Sequence, residues 1–555
     1  MLREAVRRGE LPPVEQRLPD NPPVIEPLES IGEYGGTWFR LMASTSDIHA
    51  YSRCVYDQLV RIGSDPSEGV QPNLVKSWEY TDSYKTLTLH LYKGLKWSDG
   101  HPFTVDDIIF WWERIACDPN VTPDVPVQWK PGGKPMQLER ISDTTLKMHF
   151  AAPYPQALPL LAFKGCQWPL AFERYGAFAP KHYLEPALAN SYAEFEEKSY
   201  DLNVERPVMT AWKISDWKAG MRLIAERNPY YWKIDPAGKQ LPYLDRVEHE
   251  VNFGGGMLAF RAVSGVMQFQ LRGFMPTNYT LLRDFAQKRD YRVPQYVATA
   301  TNYVYFNLNY QKDDTYRELF RKRGFRRAMC LAVNRKMIQK LAFRNRAGPP
   351  SYNLAADSFY YSDLEGVDDV LRYDPDAARR ILDDIGLKER DAEGYRKLPD
   401  GRTASIIFAL PSRAGGADPL TSALEIACAN WRDVGIKCSI QPMQRTLFIQ
   451  RVRTNGDHMA CLWGSGERMF PVLQPRFWFG IQPEGWQHLW AKWYSTGGRK
   501  GEEPPPDAKR LQQIYDALCA TDDEQESRAL MAEAVRNHAD NVWGIPINGP
   551  LLYPG

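Results

Sequence analysis

No apolar run of about 18 residues occurs in this 555-residue chain, so no segment reads as a membrane-spanning helix. Charge of one sign is lacking too: 69 basic residues meet 68 acidic ones, a net of +1. Without a basic excess, nothing argues for nucleic acid or an anionic membrane surface as partner. The eight cysteines, at 54, 117, 166, 330, 428, 438, 461 and 519, contain no CxxC pair, which sets aside a zinc ribbon or redox motif. A chain this long holds more than one compact core without disulfides, so scattered buried thiols are the default. Spacing leaves one bridge open, such as Cys428 to Cys438, in an oxidising compartment.

Catalytic signatures are missing as well. The nine histidines form no HExxH or HxH pair. Gly254-Gly255-Gly256 lacks the Gly-Lys-Ser/Thr ending of a phosphate loop and the spacing of a dinucleotide fingerprint. Leu462-Trp463-Gly464-Ser465-Gly466 lacks the first glycine of a nucleophile elbow, so Ser465 has no case as a nucleophile. Acidic pairs such as Asp106-Asp107, Asp383-Asp384 and Asp522-Asp523 read as caps and solvated charge. The expectation is therefore no enzyme, no metal and no cofactor.

What the chain does have is proline (42 residues, above the roughly 5% average) and aromatics, 17 tryptophans and 29 tyrosines. The aromatics suit a large core or stacking surfaces in a cleft. Residues 1–30 read as a short charged helix and a Pro-rich arm that wraps a surface. The arm has no apolar leader region, which by itself predicts a cytoplasmic protein.

The most informative stretch is 84–116, YKTLTLHLYKGLKWSDGHPFTVDDIIFWWERIA. Leu87, Leu89 and Leu91 alternate with Thr88 and His90, the pattern of a half-buried strand. Asp99-Gly100 is a turn dipeptide. Thr104 is placed to cap a helix, with Asp106 and Asp107 on its first turn and Ile108, Ile109, Trp112, Ile115 and Ala116 on one face. The run Lys-Trp-Ser-Asp-Gly, Pro-Phe-Thr, Asp-Asp and an aromatic helix resembles the signature block of family 5 extracytoplasmic solute-binding proteins, the receptors of ABC importers.

The resemblance extends from about 35 to 550. Gln71–Trp78, Asn228–Trp232 with Leu241–Asp245, the strand Tyr303–Asn309, the helix Gly324–Arg335 and the capped helix Asp374–Leu382 before Gly386 are similar to family segments. Met209–Trp212 replaces the family's usual Gly-Pro-Tyr. The first strand, Thr37–Leu41, is expected to lead through a ligand-touching loop into a helix ending near Tyr56–Leu59.

The resemblance implies an α/β, two-lobed type II binding-protein fold with an extra subdomain and a hinge cleft. The implied layout is domain I over 1–61, 176–296 and 543–555, domain II over 62–175, and domain III over 297–542. It also implies a monomer outside the cytoplasm whose leader has been removed, delivering a small molecule to permease subunits. The abrupt end at Leu551–Gly555 suggests a short tail beyond it.

In peptide-binding relatives a Gly-Trp-x-x-Asp aspartate pairs with the ligand's α-ammonium. Aligning that tryptophan with Trp463 puts Gly466 at the aspartate position, and Glu467 is the nearest substitute. A buried ammonium needs a counter-charge. A hydroxyl-rich ligand instead suits aromatic rings with polar neighbours. The expected lining is Trp463, Gly464, Ser465, Gly466, Glu467, Arg468, Trp478 and Trp486, with Asp47, His49 and Tyr51 from the first loop. An oligosaccharide or glycoside is the expected ligand. A peptide or opine-like amino-acid conjugate is the alternative, and a cytoplasmic hydrolase or a chaperone-like surface protein the rival classes.

Overall fold

The computed structural model describes residues 2–554 apart from 43–50, 52–53, 56, 165–175, 252–254, 271, 299–300, 413–417, 455 and 467. Asp47, His49 and Glu467 lie outside the described residues, and of Ser465 and Gly466 only the backbone is described. The chain divides into two compact units, Met1–Gly273 and Phe274–Gly555.

The first unit holds two four-stranded sheets. In one, Thr37–Met42 runs parallel to Arg246–Val251, followed by Arg222–Arg227 and Trp212–Lys218 in antiparallel order. The other is antiparallel throughout, with Thr86–Leu91 and Thr145–His149 at its centre. Thr86 and Thr88 are as buried as Leu87 and Leu89, so the expected half-buried strand is covered on both faces. The turn after it needs Gly100, whose φ is +90° and where a Cβ would sit 2.9 Å from the Tyr230 ring.

Thr104 caps Val105–Phe110 as expected, and Asp107 returns the bond to the Thr104 amide, closing a capping box. Burial pushes the Asp107 carboxyl up to about 6, against the amides of Thr104 and Lys181 that favour its charged form. The helix then widens into a π-turn over Trp111–Ala116, which puts Trp111 beside Trp112 in the core. No helix spans the described residues of 54–59; there Asp57 is buried and pairs with Lys233 at 2.6 Å. The N-terminal arm lies along this unit. Arg17 is pinned to the Pro229 carbonyl and to Gln240 Oε1, and Ile25 donates to Ile234.

The second unit is built on a five-stranded mixed sheet in the order Lys437–Met443, Ser405–Pro411, Ala460–Gly466, Thr301–Phe306, Ile545–Pro546. The first two strands are parallel, as a helical crossover requires, and Pro419–Asp433 supplies it. Trp431 on that helix stacks on Phe408 at 4.8 Å and donates to the Met329 carbonyl at 2.8 Å. The expected helix 324–335 breaks in two. Arg323–Leu331 ends, and Asn334 caps a new helix, Arg335–Leu341, by accepting from Met337. Asp374, Pro375 and Gly386 cap, start and end their helix as the sequence predicts.

The division falls ahead of the expected border at 297. Gln295–Ala298 pairs with Leu551–Pro554, and the helix Tyr279–Arg289 packs on the same strand. This pairing and the sheet strand Ile545–Pro546 group the C-terminal segment with the second unit. Cys428 and Cys438 are both buried free thiols.

Candidate ligand-binding site

Trp463 lies on Ala460–Gly466, the middle strand of the five, opposite Tyr303. A short helix, Arg445–Ile449, starts where Gln444 Oε1 accepts from the amides of Thr446 and Leu447, and continues as a π-turn over Gln450–Thr454. Turns of this kind are rare and cluster at functional sites. Phe448 is fully buried and stacks on the half-buried Trp463 indole, with centroids 5.1 Å apart and planes at 30°. The guanidinium carbons of Arg445 and Arg453 lie 5.8 and 5.3 Å from the same ring. Aromatic and cationic neighbours thus hold the indole in place.

Charge is concentrated beside it. Glu484 is 0% exposed, and its Oε2 accepts from Arg453 Nη2 at 3.4 Å. Burial pushes the Cys461 thiol well up, with Glu484 adding to the effect and Arg453 opposing it. Burial lowers the Arg476 guanidinium, against the pull of Glu484; Arg476 Nε donates to Gln482 Oε1 at 3.1 Å. His458 is buried and bonds the Gly485 carbonyl at 2.8 Å; burial lowers its imidazole to about 4.

Gly464 is there for space. A Cβ would come 2.5 Å from Asn302 Oδ1, and Asn302 Nδ2 donates to Asn548 at 2.8 Å. Gly466 pairs with Thr301 across an irregular register. Arg468 is buried and spends its guanidinium on the Asn353 and Leu354 carbonyls, at 2.7 and 3.1 Å. It anchors a loop and offers no free head group within this unit.

Trp478 and Trp486 also differ from the expected lining. Both are fully buried, packed with Phe477, His538, Trp490 and Trp543. Their size and apolarity are used by the core. Tyr51 is fully buried in the core of the first unit, its hydroxyl on the Trp212 carbonyl at 3.2 Å and its ring edge-on to His249.

The sequence did not single out Arg445, Phe448, Arg453 or Glu484. The first three recur at near-helical spacing in RTLFIQRVR, a signal that was present. A lone glutamate in Pro483-Glu484-Gly485 carries no such signal. Among the described residues, no group of three or more His, Cys, Asp or Glu side chains could hold a metal, and no helix is long and apolar enough to cross a membrane.

Residues 69–482 match the model of bacterial extracellular solute-binding proteins, family 5. The chain is 27% identical over 445 residues to a periplasmic alpha-galactoside-binding protein of Rhizobium meliloti, covering 72% of this chain and 60% of that relative's length. It is 30% identical to the solved oligopeptide-binding protein OppA, with a TM-score of 0.67, covering 100% of this chain and 90% of that one. The periplasmic binding protein MelB of Agrobacterium fabrum C58, solved with stachyose, shares the fold at a TM-score of 0.80 and 24% identity, covering 99% and 84% of the two chains. The fold is therefore the two-lobed type II binding-protein fold, and the chain belongs to family 5 of the bacterial extracellular solute-binding proteins.

Proposed function

We propose that this protein is a non-catalytic, extracytoplasmic receptor of an ABC importer that binds an oligosaccharide or glycoside and hands it to the permease. The observation that carries the ligand class is Trp463. Its indole is held by Phe448 and two arginines, and the strand carries glycine at 466, where peptide receptors place the carboxylate for an α-ammonium. An aromatic face without that carboxylate suits neutral, hydroxyl-rich ligands better than free peptides. The alpha-galactoside-binding relative supports the same reading. Ligand closes the lobes about a hinge and stabilises the fold by mass action, by about 2.7 kcal/mol at one hundred times Kd.

A second reading, an oligopeptide or amino-acid-conjugate receptor, is favoured by the 30% identity to OppA. Native mass spectrometry of the protein as purified, followed by calorimetry with stachyose, mannohexaose and a tri- and tetrapeptide panel, separates the two. Tight peptide binding with no response to sugars reverses the choice of ligand. Product formation from a bound sugar at enzyme-like rates refutes the receptor class.

A further inference from the structure

Cys428 and Cys438 stand on consecutive elements of the second unit. Pro419–Asp433 carries Cys428 on its core-facing stripe with Leu424, Ala427 and Trp431, and Lys437–Met443 turns Cys438 inward between exposed Lys437 and Ser439. The connection Val434–Ile436 is a tight return. Gly435 takes φ +94°, and the amides of Gly435 and Ile436 donate to the Arg432 and Trp431 carbonyls at 2.8 and 2.9 Å. Arg432, one helical turn beyond Cys428, donates from Nη2 to the Cys438 carbonyl at 3.3 Å. The strand therefore starts against the helix turn that bears Cys428, and the two thiols are in hydrogen-bond contact. Other cysteines meet different groups: Cys330 lies against Arg335, Cys54 against Arg40, and Cys461 beside Glu484 and Arg453.

We infer that Cys428 and Cys438 are a disulfide-forming pair, joined while the chain folds by exchange with a disulfide oxidant, and that the bridge ties the crossover helix to the outer strand of the five-stranded sheet. One cysteine thiolate attacks a sulfur of the oxidant, giving a mixed disulfide and one released thiol; the second cysteine then displaces the other half. One S–S bond forms and one breaks. The two cysteine thiols give up two electrons and two protons, and the oxidant leaves as two thiols. Burial sets the timing. Both side chains are enclosed, and burial together with the neighbouring Cys428 thiol pushes the Cys438 thiol well up, so thiolate is scarce in the folded chain. The exchange belongs to the folding chain, and the finished bridge is out of reach of reductants until this part of the unit opens. The extracytoplasmic placement proposed above supplies the oxidant; the pairing itself needs only the geometry of helix, return and strand.

The test uses the full chain. It is refolded from urea in an oxidising mixture of oxidised and reduced glutathione, alkylated with N-ethylmaleimide under denaturing conditions, and digested with trypsin without reduction. Trypsin cleaves after Arg432 and Lys437, between the two cysteines. The expected product is peptide 414–432 joined to peptide 438–445, separated by reduction, with the other six of the eight cysteines alkylated. Reduction should also lower the thermal midpoint of the wild type by several degrees and leave that of the Cys428→Ala/Cys438→Ala double variant unchanged. Eight alkylated cysteines, glutathione adducts in place of the joined peptides, or either cysteine bridged elsewhere overturns the pair. A joined peptide whose reduction leaves the midpoint unchanged overturns the tie between helix and strand. If the double variant fails to fold, the wild-type peptide map decides by itself. None of these outcomes depends on where the protein resides or what it binds, so a failure of the receptor reading is told apart from a failure of the bridge.

Discussion

Acidification from pH 7 to 5 should weaken the second unit through two buried histidines. His538 is fully buried, bonds the Trp478 carbonyl at 2.9 Å through Nε2, and is lowered from 6.5 to about 4, chiefly by burial. His458 is lowered to about 4 for the same reason, with His488 and Arg451 adding repulsion and the Gly485 carbonyl opposing. Both folded values lie below the unfolded one. Between 6.5 and about 4 the unfolded chain therefore binds more protons, and stability rises with pH across that window. The contribution is complete above 6.5 and lost as pH falls towards 4. Each histidine costs roughly 1.4 kcal/mol per pH unit, so about 2 kcal/mol at pH 5, and about 4 kcal/mol for the pair. Urea unfolding at pH 7, 6 and 5, followed by tryptophan fluorescence, reads the slope. His538→Gln keeps an N–H for the Trp478 carbonyl and removes one titration. Its stability should fall less with acid than that of wild type, by about 2 kcal/mol at pH 5. Carboxylates titrate in both proteins and cancel in the difference. Equal slopes for variant and wild type would refute a buried neutral imidazole at 538.

Trp463→Ala removes the ring stacked on Phe448 and should cost ligand affinity ten- to a hundredfold, about 1–3 kcal/mol, in stachyose calorimetry; an unchanged Kd counts against the site. Gly464→Ala drives a Cβ to 2.5 Å from Asn302 Oδ1 and should lower the thermal midpoint by the equivalent of about 1–3 kcal/mol, whereas a neutral effect means that the strand pair relaxes freely. Arg17→Ala removes the clamp on Gln240 and the Pro229 carbonyl. Limited proteolysis should then cut the arm at least several times faster, and an unchanged rate means that the arm is held elsewhere. Thr104→Ala opens the capping box and should cost about 1 kcal/mol in urea unfolding.

Local signals carried far. Thr104, Asp374, Pro375 and Gly386 act where short-range chemistry places them, because a cap needs only its own turn. The block 84–116 identified the family, and Trp463 was singled out by its position in a motif that resembles the family's. The local reading failed where the tertiary environment decided. Thr86 and Thr88 look solvent-facing by alternation, yet their strand is interior to its sheet and both faces are covered. The helix 324–335 looks continuous by period, yet Asn334 takes the Met337 amide and starts a second helix.

Composition and order of residues by themselves determined the family, the α/β class, the helix caps and the lack of catalytic motifs. Which aromatic residues serve the core was settled only by tertiary packing. Trp463, Trp478 and Trp486 are equivalent as letters, and they separate because Trp463 is half-buried at the ring of Phe448 while the other two are enclosed with His538. Glu484 and Arg453 became visible in the same way. They are 31 residues apart, and only the folded chain brings their charges together out of water beside Trp463, where a missing hydrogen bond has a cost.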